Sequence, residues 1–379
     1  MPSRVYLDWN ATTPLRAEAR AAVLAAYELI GNPSSVHAEG REARRLVEDA
    51  RSSLAAAIGA LPRNVVFTSA GTEANALALS PGLRSRSGEP VRRLLVSAVE
   101  HASVLAGGRF PANDIGQIRV TSSGAVDLDD LRALVAAGPP ALVSIMAANN
   151  ETGALQPVAE AARIVHEAGG LLHVDAIQAL GKIGFNINAV GADLASFSGH
   201  KIGGPKGVGA LVVAEGLAGL EPVLRGGGQE LGRRAGTENV AGIAGFGAAV
   251  RAALEALPED AERMTSLRDS LENGIRGIAG ASIFAENVKR LPNTVLFTAS
   301  GLKAETAVIG FDLEGIAVSS GSACSSGKVQ PSHVLSAMGY DASVAQGAVR
   351  LSLGWSTQPG DINRCLEAWR KLGNTLLRG

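Results

Sequence analysis

Lys201 sits in the run Ser198-Gly-His-Lys-Ile-Gly-Gly-Pro-Lys, directly after a short apolar stretch. A lysine held partly out of water there binds its proton less tightly, and its free amine can form a Schiff base with a carbonyl. Asp175 closes another apolar run, Leu172-His-Val-Asp-Ala-Ile-Gln. A carboxylate in such a place needs a cationic or strong donor partner. A pyridinium nitrogen is one such partner, and a helix N-cap is the plainer alternative. Cys324 lies in Ser319-Ser-Gly-Ser-Ala-Cys-Ser-Ser-Gly-Lys. Small polar residues on both sides predict a mobile, exposed loop in which the thiol is an accessible nucleophile. Cys365 falls in a predicted terminal helix and reads as structural. Arg350, in the alternating segment Val349-Arg-Leu-Ser-Leu-Gly, has the planar fork that binds a carboxylate with two hydrogen bonds. His101, in Val99-Glu-His-Ala-Ser, is able to stack on a ring, although a lone histidine is more often structural.

Glycine-rich stretches offer backbone N–H groups for an anion. Thr68-Ser-Ala-Gly-Thr-Glu, with Gly71 and Thr72, precedes an Ala-rich helix and places donors at its N-terminus. It lacks the lysine of a P-loop. Gly226-Gly-Gly-Gln-Glu and Arg234-Ala-Gly-Thr-Glu-Asn form a second such region. No HExxH or paired CxxC spacing is present, and no metal is expected.

The elements that must position these groups follow from periodicity. Apolar, β-prone runs at Leu94–Ala98, Leu142–Met146, Leu171–Val174, Leu194–Phe197 and Gly209–Val213 alternate with Ala-rich amphipathic stretches, one of them a helix over Pro157–Ala168. Continuous apolar runs between helices predict parallel strands buried on both faces, in an α/β layer architecture. Ligands gather beyond the carboxyl ends of such strands. His101 follows the first run, Asn149 and Asn150 the second, Asp175 and Gln178 the third, and Ser198, His200 and Lys201 the fourth. Four strand ends thus deliver polar groups to one rim. After Pro258 the texture changes to a charged helix over Glu259–Arg276 and a strand over Leu291–Thr298. The division is a large domain over 14–257 and a smaller α+β domain made of 1–13 and 258–379.

The 379 residues are enough for two domains, and 46% hydrophobic with 19% charged residues predicts packed globular structure. A net charge of -1 offers no broad basic field for nucleic acid or an anionic membrane. Two cysteines make a disulfide framework improbable and suit a reducing, cytoplasmic setting. The N-terminal ten residues carry no signal-type apolar core, and the most apolar long stretch, Val240–Val250, is too short to span a bilayer.

The ordered set of motifs resembles the cysteine desulfurases, the NifS/IscS-like group of the class V aminotransferase family. The resemblance runs nearly end to end, through Tyr6-Leu-Asp-Trp-Asn-Ala-Thr-Thr-Pro, Gly31-Asn-Pro-Ser-Ser-Val-His, Thr68-Ser-Ala-Gly-Thr-Glu-Ala-Asn, Glu100-His and Asn149-Asn-Glu-Thr-Gly. It continues through His173-Val-Asp-Ala-Ile-Gln, Ser196-Phe-Ser-Gly-His-Lys, the two later glycine-rich stretches, Ser320-Gly-Ser-Ala-Cys-Ser-Ser and Arg350-Leu-Ser-Leu-Gly. It implies a fold type I enzyme with a mostly parallel seven-stranded sheet, using pyridoxal 5'-phosphate (PLP). Lys201 would bind PLP covalently and serve as acid and base. Asp175 would pair with the ring nitrogen, His101 stack on the ring, Gln178 contact its hydroxyl and Asn150 help position it. Gly71, Thr72, Ser198 and His200 would hold the phosphate, and Thr237 would reach the phosphate of a neighbouring subunit in a homodimer. Arg350, with Asn32 nearby, would bind the carboxylate of L-cysteine. Cys324 would take the sulfur as a persulfide and pass it to an acceptor such as an iron–sulfur scaffold. Trp9, Ala70 and Leu231 depart from the family pattern. The alternatives are a selenocysteine lyase or another enzyme of the same fold. A non-catalytic sulfur-transfer protein ranks lower, and a nucleic-acid-binding module lowest.

Overall fold

The computed structural model describes residues 4–85, 87–278, 280–321 and 331–376. Cys324 therefore lies outside the described residues. A short strand β1 (Val5–Tyr6) precedes the seven strands of the large sheet: β2 (Val65–Thr68), β3 (Arg93–Ser97), β4 (Ile115–Ile118), β5 (Ala141–Met146), β6 (Leu171–Asp175), β7 (Leu194–Ser198) and β8 (Gly209–Val213). Their spatial order is β2-β8-β7-β6-β5-β3-β4. Every residue of β5, β6, β7 and β8 is buried, as continuous apolar runs require.

Five strands, β4-β3-β5-β6-β7, are mutually parallel. The run Gly209–Val213, expected to be parallel with the others, instead lies antiparallel to both β7 and β2. The physical reason is the connection. Only a 3₁₀ turn and a loop separate Ser198 from Gly209, and a parallel crossover needs a dozen or more residues. Since β2 reverses direction again, its carboxyl end falls on the same rim as those of β3, β5, β6 and β7.

Helices α1 (Ala17–Tyr27), α2 (Ala38–Ile58), α3 (Gly71–Ala78), α4 (Ala102–Leu105), α5 (Leu128–Ala136), α6 (Val158–Glu167) and α7 (Val240–Arg276) accompany this sheet. The separate charged helix expected from Glu259 is the second half of α7, which runs through Pro258 without ending. Proline there removes one backbone donor. The helix persists because both halves are packed: Ala253 belongs to the core of the large sheet, and Leu267, Leu271 and Ile275 belong to a second core. At 37 residues α7 is long and apolar enough to cross a membrane, which corrects the expectation from Val240–Val250 alone. Its apolar half is buried against protein, from Ala241 to Val250.

The second core is built on β9 (Ala281–Ile283), β10 (Thr294–Ala299), β11 (Ile316–Ala317), β12 (Ser319–Ser320) and β13 (Val349–Ser352), with helices α8 (Ala304–Leu313), α9 (His333–Ala337), α10 (Ala342–Gln346) and α11 (Pro359–Leu376). Four of these strands form a sheet in the order β12-β13-β10-β9. Val5 and Leu7 are buried in this core, and β1 pairs in parallel with β11. The chain then turns back toward the large sheet, where Thr13 N–H donates to His200 O at 3.0 Å. Trp9 fits because Gly354 faces it: a Cβ on Gly354 would come within 1.9 Å of the indole.

Candidate active site

A cavity of about 330 Å³ opens at the rim where the five strand ends meet. Lys201 reaches it from a 3₁₀ turn, Gly199–Lys201, that starts as soon as β7 ends. Its Nζ donates to Asn10 O at 2.5 Å and Ala11 O at 2.8 Å, so the N-terminal segment supplies its acceptors. Burial, reinforced by the charge of Arg350, pushes the Lys201 ammonium down to about 8 against the pull of Asp8 and Asp175. Such an amine is substantially free near neutral pH and suited to Schiff-base chemistry.

Asp175 ends β6 and is buried. Asn75 Nδ2 donates to its Oδ2 at 2.9 Å, and Ile177 N–H donates to its Oδ1 at 3.0 Å. Burial raises its pKa despite both bonds. A carboxylate in that state fits a protonated ring nitrogen, which would supply the missing positive charge. His101 lies exposed on the same cavity, and partial desolvation by the surrounding protein, with Lys201 and His333, disfavours its cation.

One end of the cavity is built from α3. Its first residues, Gly71 and Thr72, line the cavity, and the preceding Ala70 makes no side-chain cap, so the first N–H groups of the helix remain for an anion. Gly71 packs closely here: a Cβ would come within 2.3 Å of Ile177 Cδ1, which would have to move aside. Ser198 Oγ is buried in the same wall with no hydrogen-bond partner among the described residues, an orphan that a phosphate oxygen would satisfy. His200 also lines it, held by Thr12 Oγ1 at 3.1 Å from Nδ1. Burial and two lysines push its pKa down to about 4. Ala70, a departure from the family pattern, leaves this cradle intact.

The small sheet contributes Arg350 on β13. The side chain is buried; Nη2 donates to Asp8 Oδ1 at 2.8 Å and Nη1 to Asn150 O at 3.1 Å, while Nε has no partner among the described residues. Asn150 thus acts through its backbone carbonyl as well as lining the cavity. Gln178 lines it too, with Nε2 donating to Asn10 O at 3.0 Å and Oε1 accepting from the buried Lys182 Nζ. One amide N–H of Gln178 is left for a ring hydroxyl.

Two expected residues are not brought to this cavity within one chain. Asn32 is exposed, and its Oδ1 accepts from Ser34 N–H at 2.9 Å to close its own turn. Thr237 lines a separate pocket with Ser69, Arg234 and Glu238. That pocket adjoins the phosphate loop, because Glu73 accepts from Ser69 N–H at 2.7 Å and from Arg234 Nε at 3.0 Å. Sequence reasoning missed Asn75, Glu151 and His333. Asn75 and Glu151 lay inside quoted motifs with nothing local to mark a role. Glu151 is buried in the cavity wall, where Ser332 Oγ donates to its Oε2 at 2.5 Å and burial raises its pKa to about 7. His333 Nε2 meets Glu100 O at 2.9 Å. Cys365 is buried, its thiol pushed up to about 12, so it is an inert core residue.

A buried lysine with a lowered pKa, a buried carboxylate and the open start of a helix, gathered at one rim of a mixed α/β sheet, fit a fold type I, PLP-dependent enzyme. The profile of the class-V aminotransferases matches residues 5–365. The chain is 40% identical to a cysteine desulfurase IscS of Dictyoglomus turgidum, over 98% of this chain and 95% of that protein. It is 43% identical to a cysteine desulfurase of Cereibacter sphaeroides, over 96% and 94%. A NifS-like protein of Rickettsia africae superimposes with a TM-score of 0.90 at 36% identity, covering 98% of this chain and 99% of that one. A structure of SspA in complex with cysteine superimposes with a TM-score of 0.77 at 30% identity, over 92% and 99%. The chain belongs to the class-V aminotransferase family, among its cysteine desulfurases, and its cofactor is PLP.

Proposed function

We propose that the chain converts L-cysteine to L-alanine and retains the sulfur as a persulfide on Cys324 before passing it to an acceptor protein. The observation that carries this reading is the convergence of Lys201, Asp175 and Arg350 on one cavity. When bound there, PLP supplies an electron sink for the carbanion left as the substrate Cα loses its proton. Asp175 keeps the ring nitrogen protonated. Lys201, with its lowered pKa, carries the proton to and from Cα. Arg350, already oriented by Asp8 and Asn150, fixes the substrate carboxylate. His101 faces the reacting end, and the α3 N-terminus with Ser198 and His200 anchors the phosphate. The Cys324 sulfur bonds to the substrate sulfur as the substrate C–S bond breaks, so one L-cysteine and one thiol become one L-alanine and one persulfide. The cysteine-bound relative supports the choice of substrate.

The acceptor belongs to iron–sulfur cluster assembly or another sulfur-cofactor route, as the IscS-type and NifS-like relatives suggest. A homodimer with shared active sites is part of the same proposal. Its support is a run of exposed apolar side chains around α1, with Tyr27 73%, Ile30 91% and Val36 88% exposed, and Thr237 in a pocket open for a partner. A cytoplasmic location suits a thiol that must stay reduced between turnovers. The test incubates the purified, PLP-loaded protein with L-cysteine and a reductant. Alanine and sulfide in equal amounts are expected; an oxo acid without sulfide would move the chain to another activity of its fold.

A further inference from the structure

His101 is joined to Asp175 by side chains that no role has so far been given. His101 Nδ1 lies 2.8 Å from Ser103 Oγ and accepts from Ser103 N–H at 3.1 Å. Asn75 Nδ2 donates to that same Ser103 Oγ at 2.9 Å and to Asp175 Oδ2 at 2.9 Å. The orientation of each group follows by elimination. A backbone N–H only donates, so Nδ1 must present its lone pair to it. A carboxylate only accepts, so Asn75 turns its NH₂ toward Asp175, leaving its buried Oδ1 without a partner among the described residues. Ser103 Oγ therefore receives from Asn75 and has its own hydrogen free for Nδ1.

We propose that Ser103 is a positioning residue that, with Asn75, holds His101 as the neutral tautomer carrying its proton on Nε2. The inference rests on the desulfurase reading for its kinetic consequence but not for the tautomer itself. In this state Nε2, the nitrogen not engaged by α4, offers an N–H donor. His101 thus begins the cycle able to give a hydrogen bond from Nε2 to the bound groups, and not able to take a proton there. Asn75 shares one NH₂ between Ser103 and Asp175, so the orientation of the imidazole and of the ring-nitrogen carboxylate are set together. The groups facing His101 agree with a neutral ring: partial desolvation, Lys201 and His333 oppose its cation, and Asp175 favours it.

The test labels the histidine imidazoles of the holoenzyme with nitrogen-15 and assigns the His101 signals by their loss in His101→Gln. The expected result is an unprotonated Nδ1 and a protonated Nε2 in wild type. Ser103→Ala removes one of the two donors to Nδ1 and leaves the backbone N–H, so it should shift the Nδ1 signal, move the pH profile of turnover, and lower kcat roughly two- to ten-fold with KM unchanged, the effect of one lost hydrogen bond. Ser103→Thr, which keeps the hydroxyl, should restore all three. A proton found on Nδ1 in wild type overturns the proposal. So does a Ser103→Ala enzyme with wild-type nitrogen signals and pH profile. If wild type releases no alanine and sulfide, the desulfurase reading fails while the nitrogen spectrum still judges the tautomer.

Discussion

Raising the pH should accelerate covalent capture of PLP by the cofactor-free protein only up to about pH 9. Lys201 must lose its proton before it bonds the aldehyde, and its pKa is held at about 8 by burial and by Arg350. At about pH 7.5 such an amine is roughly one quarter free, against about one thousandth at the usual lysine value, a gain of roughly two hundred-fold in reactive amine. The assay follows the visible absorbance of the lysine-bound cofactor by stopped flow between about pH 7 and 10. The rate constant should climb about fivefold from pH 7 to 8, about twofold from 8 to 9, and flatten above that. Within that window His200, with a pKa of about 4, does not change charge. Replacing Arg350 with Gln removes a positive neighbour and should shift the inflection upward. A rate still rising tenfold per unit at about pH 9.5 would place Lys201 at its ordinary pKa and refute the account of its burial.

The other predictions concern the walls of the same cavity. Arg350→Ala should raise KM for L-cysteine roughly ten- to hundred-fold, the worth of a charge-assisted carboxylate contact, with PLP still bound; a KM within twofold of wild type would assign the carboxylate to another residue. Glu151 is protonated more readily folded than unfolded, since its pKa rises from 4.5 to about 7 on burial. Folded chains therefore hold a proton that unfolded chains release across that window, and stability falls as pH rises through it, by about 3 kcal/mol at most. Glu151→Gln should remove that slope while keeping the bond to Ser332, so the stability difference between the two proteins should change sharply between about pH 5 and 8 in denaturant titrations. A difference that stays flat would mean that Glu151 is not held as the acid.

Much of this site was legible because strand ends carry chemistry in α/β sheets. Asp175, Ser198, His200 and Lys201 each follow an apolar run closely enough for their place on the rim to be read directly. Strand direction was less legible. An apolar run such as Gly209–Val213 reports burial on both faces, and only the short, helix-free link from Ser198 shows that it turns back. Pro258 misled because a proline breaks a helix locally, while packing into two cores holds α7 together on either side of it. Asn75, Glu151 and His333 were invisible for another reason. Their roles depend on partners 100, 181 and 233 residues away, and neither periodicity nor composition reports such distances. Thr237 and Asn32 were read from resemblance alone, and within one chain neither reaches the Lys201 cavity.

The measurement that bears most directly on the central claim is mass spectrometry of the PLP-loaded protein after a brief exposure to L-cysteine without reductant. The account predicts one added sulfur atom on the peptide containing Cys324 and none on that containing Cys365, whose buried thiol titrates only at about 12. In Cys324→Ala the addition should vanish, with sulfide release, while the visible band of the lysine-bound cofactor remains. Continued sulfide release from Cys324→Ala, or sulfur located on Cys365, would contradict the persulfide route.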